Sequence, residues 1–208
     1  MGLGESSLDF HISLMTTYKH TSVTPLTPAV GAEIGQVNIA DGVDDETIHE
    51  VHSALMDHGV VFFRDQDLTA IQQRDFAGRF GRLRKAKRSA FLVEEGVPEM
   101  HVLINDEDRP PNVNHFHSDG IFRAKPEFAS ILRSVECPQA GGDTIFVGMQ
   151  AAYQALSADM KTYLADKYAV NDFMKLHGSP KKARSWDGDN FERMDASRRA
   201  NPPVAHPM

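Results

Sequence analysis

Near residue 100 the hydrophobic pattern of the chain changes period, and that change narrows the folds open to it. Before it, apolar residues recur at helical spacing. Asp44-Asp45-Glu46 opens a helix whose stripe is Ile48, Val51, Leu55 and Met56, and Gly59 stops it. Leu68 to Phe80 repeats the helical spacing, with Phe76 and Phe80 one turn apart. From Met100 onward the pattern is β-like. Met100–Ile104, Asn114–Phe122, Phe128–Val135 and Thr144–Val147 read as strands separated by Pro, Gly and Asp clusters. Earlier, Val23–Ile39 is punctuated by Pro25, Pro28, Gly31 and Gly35, as short strands joined by turns would be. Val60–Phe63 is a short apolar run consistent with a buried strand. Residues 149–166 return to helix, as one element or as two broken near Ser157. The pattern predicts an α+β fold, with helices packed on a β-rich core.

Residues 1–20 show no sustained period and read as a flexible leader, leaving 21–208 as one domain. Beyond Phe173 the chain turns polar and charged, a loosely specified tail. At 208 residues the length suits one good core. The net charge of -7 argues against nucleic acid as a partner, since a binder would need a basic footprint. The basic run Arg82, Arg84, Lys85, Lys87, Arg88 is local and reads first as a solvated loop. Cys137 is the single cysteine, so no intrachain disulfide can form and a reducing cytoplasm fits. No apolar run approaches membrane-spanning length, which predicts a soluble protein with no membrane partner.

The β-like region carries His117-Ser118-Asp119, with Gly141-Gly142-Asp143-Thr144 soon after. On a regular strand, side chains two apart leave the same face with Cα atoms roughly 6.6 Å apart. An imidazole and a carboxylate so placed can converge on one cation. Two histidines and a carboxylate on one face of an octahedron suit non-haem Fe(II) and O₂ chemistry. Two of those three ligands are visible here. The plainer reading is a strand whose His and Asp simply hydrogen-bond. His49 and His52, in the first helix, fall at no clear metal-ligand spacing.

These motifs stand within a longer series of blocks. Leu26–Ile34, Val60–Gln66 and Phe76–Gly81 come before His117–Asp119, and Gly141–Thr144 and Ala151–Ser157 after it. In this order, from about residue 20 to the last residue, they resemble the taurine/2,4-D dioxygenase family of Fe(II)- and 2-oxoglutarate-dependent oxygenases. The resemblance implies a double-stranded β-helix (jelly-roll) core with flanking helices. It implies His117 and Asp119 as iron ligands, and Thr144 as a residue whose hydroxyl helps hold 2-oxoglutarate. It also implies Fe(II) as cofactor, 2-oxoglutarate and O₂ as co-substrates, and a small anionic organic substrate. Assembly with further copies stays open.

The sequence departs from the family downstream of these blocks. Family members carry a third ligand, a histidine, and then an arginine that pairs with 2-oxoglutarate, both beyond the stretch that Asn201–Pro207 resembles. With Met208 as the last residue, the expectation is that both motifs and the final jelly-roll strands are missing. His115 shares a face with His117 and Asp119 on a regular strand, yet lies roughly 13 Å from Asp119 there, too far to share an ion. His206 matches a non-ligand histidine of the family. A fragment of a longer enzyme, a truncated and non-catalytic remnant or interaction module, and a site completed by a second chain are the readings left. Aligned with the taurine-cleaving branch, the sulfonate-contacting positions fall at Arg88, Phe91 and Val113, where that branch has His, Tyr and Asn. None is retained, which disfavours taurine itself. Asn112 and Asn114 read as turn formers.

Overall fold

The computed structural model describes residues 17–85, 92–108, 115–172, 199 and 202–208. They belong to two compact units, residues 1–104 with 143–149 and residues 105–142 with 150–208. Most of the leader 1–20, and Arg88, Phe91, Asn112, Val113 and Asn114, lie outside the described residues, as does most of the tail beyond Phe173.

The first unit is built on a three-stranded sheet. Strand β1 (Ser22–Pro25) pairs antiparallel with β2 (Ala32–Gly35), which pairs parallel with β3 (Val61–Phe63). The β1–β2 link is closed by Leu26 N–H donating to the Gly31 carbonyl at 2.8 Å. Val30 N–H donates to Thr27 Oγ1 at 3.0 Å, and Gly31 takes a φ of +95° that disfavours a side chain. A parallel pair needs a crossover, and helix α1 (Asp45–His58) supplies it. Asp44 caps the start of α1 by accepting from Thr47 N–H at 2.7 Å, and Gly59 ends it in the left-handed region.

Val51 and Ala54 are the buried residues of α1, whereas Met56, expected in the stripe, is exposed. Five positions from Val51 is about 140° around the axis, outside the core-facing arc. Helix α2 (Ala70–Gly78) opens with a capping box between Thr69 and Gln72. Its Phe76 packs edge-on between Phe63 (5.7 Å between centroids) and Phe80 (5.3 Å). Ile34, Ile39, Val51, Ala54, Leu68 and Phe76 form the core. A hairpin of β4 (Leu92–Glu94) and β5 (Val97–Val102) completes the regular structure, with Val97 buried. The strand expected at Met100–Ile104 is therefore shifted toward the N-terminus.

Among its described residues the second unit has less regular structure. Helix α3 (Met149–Gln154) begins at the last residue of the first unit, and α4 (Ala158–Leu164) follows it after a break. Ser157 makes the break by capping α4, its hydroxyl accepting from Met160 N–H at 3.2 Å. Strand β6 (Tyr168–Asn171) pairs antiparallel with β7 (Val204–Pro207), Ala169 opposite His206.

The strands expected at Asn114–Phe122, Phe128–Val135 and Thr144–Val147 do not form among the described residues. Alternating apolar residues favour a strand only where a neighbour supplies backbone partners. Here Leu132 and Val135 are 69% and 82% exposed, so the pattern is present without the ladder. The coarse expectation, helices with β-structure, holds. No helix among the described residues is long and apolar enough to cross a membrane.

Candidate metal centre

His117 and Asp119 both lie in the second unit, His117 in irregular chain and Asp119 in a turn, rather than on a strand. The same-face strand geometry expected for them is thus corrected. Asp119 stands instead at the head of a turn. Gly120 follows with φ +67°, and Arg123 N–H closes the turn on the Gly120 carbonyl at 2.9 Å. The left-handed φ requires a residue such as glycine at position 120. A Cβ there would also stand 2.0 Å from Glu127 Oε2 and 2.9 Å from Arg123 Nη1, two atoms that pair beside the turn at 2.9 Å.

His117 Nε2 and Asp119 Oδ1 stand 3.4 Å apart. Two donors bound about 2.1 Å from one ion stand roughly 3.0–3.4 Å apart for angles between octahedral and tetrahedral, so the pair fits a shared cation. The separation is long for a direct hydrogen bond. His117 Nδ1 lies 3.2 Å from the His115 carbonyl oxygen, which can only accept. That contact keeps the proton on Nδ1 and leaves the Nε2 lone pair toward Asp119, the usual second-layer arrangement behind a ligating histidine. The side chains are 40% and 72% exposed, within reach of a ligand from solvent.

His115 does not extend the pair. Its ring centroid is 5.7 Å from that of His117, and no group of three or more His, Cys, Asp or Glu fit to hold a metal occurs among the described residues. The extended-strand distance that argued against His115 does not apply to this bent segment. Thr144 is an exposed residue of the first unit, so it is not in the same compact body as His117 and Asp119. Arg88, Phe91 and Val113 lie outside the described residues. His206, by contrast, has a role that local sequence pattern did not signal. Its Nε2 lies 2.9 Å from the carbonyl oxygens of both Ile121 and Arg123, partners more than eighty residues away in sequence.

Residues 22–208 match the family model described as taurine catabolism dioxygenase TauD, TfdA family. An alkylsulfatase of Acinetobacter baylyi is 30% identical over 174 residues, 81% of this chain and 54% of that protein. An alpha-ketoglutarate-dependent sulfate ester dioxygenase of Pseudomonas putida is 35% identical over 146 residues, 70% of this chain and 47% of that protein. The crystal structure of a taurine dioxygenase from Burkholderia xenovorans superimposes with a TM-score of 0.65 at 30% identity, covering 74% of this chain and 54% of that one. The chain spans about half the length of the curated relatives it matches.

Proposed function

The chain belongs to the taurine catabolism dioxygenase TauD, TfdA family, and from this we propose that the protein is an Fe(II)- and 2-oxoglutarate-dependent dioxygenase acting on a small organic anion. The observation that carries the proposal is the facing pair His117 Nε2 and Asp119 Oδ1 at 3.4 Å, inside the stretch that matches the family. The jelly-roll core belongs to the same proposal, supported by the likeness to a solved taurine dioxygenase.

Iron and 2-oxoglutarate, when bound, would supply O₂ activation coupled to decarboxylation, giving succinate and CO₂ and oxidising the substrate. The chain's own residues hold and orient. His117 offers Nε2, with its ring fixed through Nδ1 by the His115 carbonyl. Asp119 offers an anionic oxygen, and the turn at Gly120 sets its direction. Thr144 is proposed to donate its hydroxyl to a carboxylate oxygen of 2-oxoglutarate. A third protein donor and a cation for the far carboxylate are required to complete such a site.

The names of two relatives favour an alkyl sulfate ester as substrate. Insertion of one oxygen atom at the ester-bearing carbon would give a hemiacetal sulfate that breaks down to an aldehyde and hydrogen sulfate. The second oxygen atom goes to succinate. Arg88 is proposed to face the anionic head, since a guanidinium suits a sulfate by charge, and Phe91 and Val113 are proposed as further substrate-pocket residues. A reducing cytoplasmic setting is proposed with it, supported by the single cysteine, Cys137, which is free and exposed.

Where a third donor and a cation for the far carboxylate complete the site, anaerobic addition of Fe(II) and 2-oxoglutarate should produce a weak visible charge-transfer band. His117→Ala and Asp119→Asn should each abolish it. Oxygen should then release succinate faster with an alkyl sulfate than with taurine. A folded, iron-loaded protein with no band supports the non-catalytic remnant instead.

A further inference from the structure

We propose that His206 is a positioning residue for the candidate metal centre, its Nε2–H clamping the backbone just beyond Asp119. The inference rests on the reading of His117 and Asp119 as ligands. His206 Nε2 stands 2.9 Å from the Ile121 carbonyl and 2.9 Å from the Arg123 carbonyl. Both oxygens can only accept, so Nε2 carries the proton and donates to both. That nitrogen is committed to backbone, which removes it as a metal donor.

The clamp is needed because Asp119 sits on a turn. A strand residue is held by its ladder, whereas the turn that Asp119 heads is tied by Arg123 N–H donating to the Gly120 carbonyl at 2.9 Å. Arg123 adds a side-chain tie through Glu127 at 2.9 Å. His206 comes from outside this loop. It is carried on β7 by pairing with β6, opposite Ala169, and lies half-buried on the same face as Val204. The ladder therefore delivers one N–H to two carbonyls two and four residues beyond Asp119. Without that donor both carbonyls lose this partner, and the turn that aims Oδ1 at His117 Nε2 is free to relax. Groups behind metal ligands act in this way, and their loss costs roughly 10–100-fold in affinity.

The test titrates the full chain with Mn(II) alone, in place of iron, following free Mn(II) by electron paramagnetic resonance. His206→Ala should weaken binding about tenfold or more, with α-helical circular dichroism unchanged. His206→Gln, whose amide Nε2 places an N–H close to that of the imidazole, should recover most of the affinity. His206→Asn, with its shorter reach, should not. Independently of metal, the Arg123 amide should exchange faster in His206→Ala than in the parent. Unchanged Mn(II) affinity in His206→Ala overturns the proposal, as does equal weakness in the Ala and Gln variants, which would make the effect one of packing. His117→Ala separates the two claims. If it leaves Mn(II) binding intact, the reading of the site falls and the positioning role with it. If it abolishes binding while His206→Ala does not alter it, only the positioning role falls.

Discussion

Glu50 shows how much one side chain of α1 can organise. Its carboxylate accepts from the N–H groups of Lys19 at 2.6 Å, His20 at 3.0 Å and Thr21 at 2.9 Å, and from the Thr21 hydroxyl at 2.9 Å. Burial alone pushes this carboxyl up, but the hydrogen bonds together outweigh it and hold it below the ordinary 4.5. A folded-state value below the unfolded one stabilises at pH above the unfolded value, and the gain is lost as pH falls through the folded value. Glu50→Gln should therefore cost about 1–2 kcal/mol at pH 7. The gap between parent and variant in urea midpoints should close as pH falls below the ordinary carboxyl value and through the lowered folded-state one. A gap independent of pH would show that the charge is not what ties residues 19–21 to the helix. Nothing in the sequence pattern singled out Glu50, because its partners are backbone groups some thirty residues away. His117 and Asp119 were legible as a pair through the blocks on either side of them, since a His-x-Asp triplet alone arises by chance, and yet the geometry assumed for them was a strand. The i, i+2 rule holds on a ladder, and the same two side chains stand 3.4 Å apart here without one.

At the scale of elements, helices were legible where their ends are written in local chemistry. Asp44 and Gly59 bound α1, Thr69 starts α2, and Ser157 starts α4, each through a side chain or φ angle that acts within three or four residues. Thr69 and Phe76 separate what a cap contributes from what packing contributes. Thr69→Ala removes the acceptor for Gln72 N–H and should cost about 1 kcal/mol. Phe76→Ala empties a site 7% exposed, between the rings of Phe63 and Phe80, and should cost roughly 3–4 kcal/mol. Denaturant melts of the two variants should preserve that order. If the cap variant proved the weaker, α2 would be held by its own propensity and not by the core. Strands were less legible for the same physical reason. β1, β2 and β3 were recovered because they pair with one another inside residues 22–63. Phe128–Val135 has an equally apolar pattern and no neighbouring strand among the described residues.

For the whole molecule, that contrast becomes a difference between the two units. Every residue buried among those described belongs to the first unit, from Thr21 to Val97. In the second, Phe116, Leu132 and Val135 are 71%, 69% and 82% exposed. Sequence pattern registers which face of a strand wants burial, but the group that buries it is non-local, so apolar alternation at Phe128–Val135 and Thr144–Val147 makes no ladder by itself among the described residues. Amide exchange in the 208-residue chain tests this directly. Backbone groups outside any ladder exchange at nearly the rate of an unstructured peptide, whereas those inside a packed helix wait for an opening event. Amides of Leu132, Ser134 and Val135 should exchange within seconds at neutral pH, and those of Val51–Leu55 in α1 should be slowed by orders of magnitude. Equal protection in both stretches would mean that residues 132–135 are paired in a sheet after all. The apolar pattern would then have been a sufficient guide to the strand, and the exposure of Leu132 and Val135 would not describe the molecule in solution.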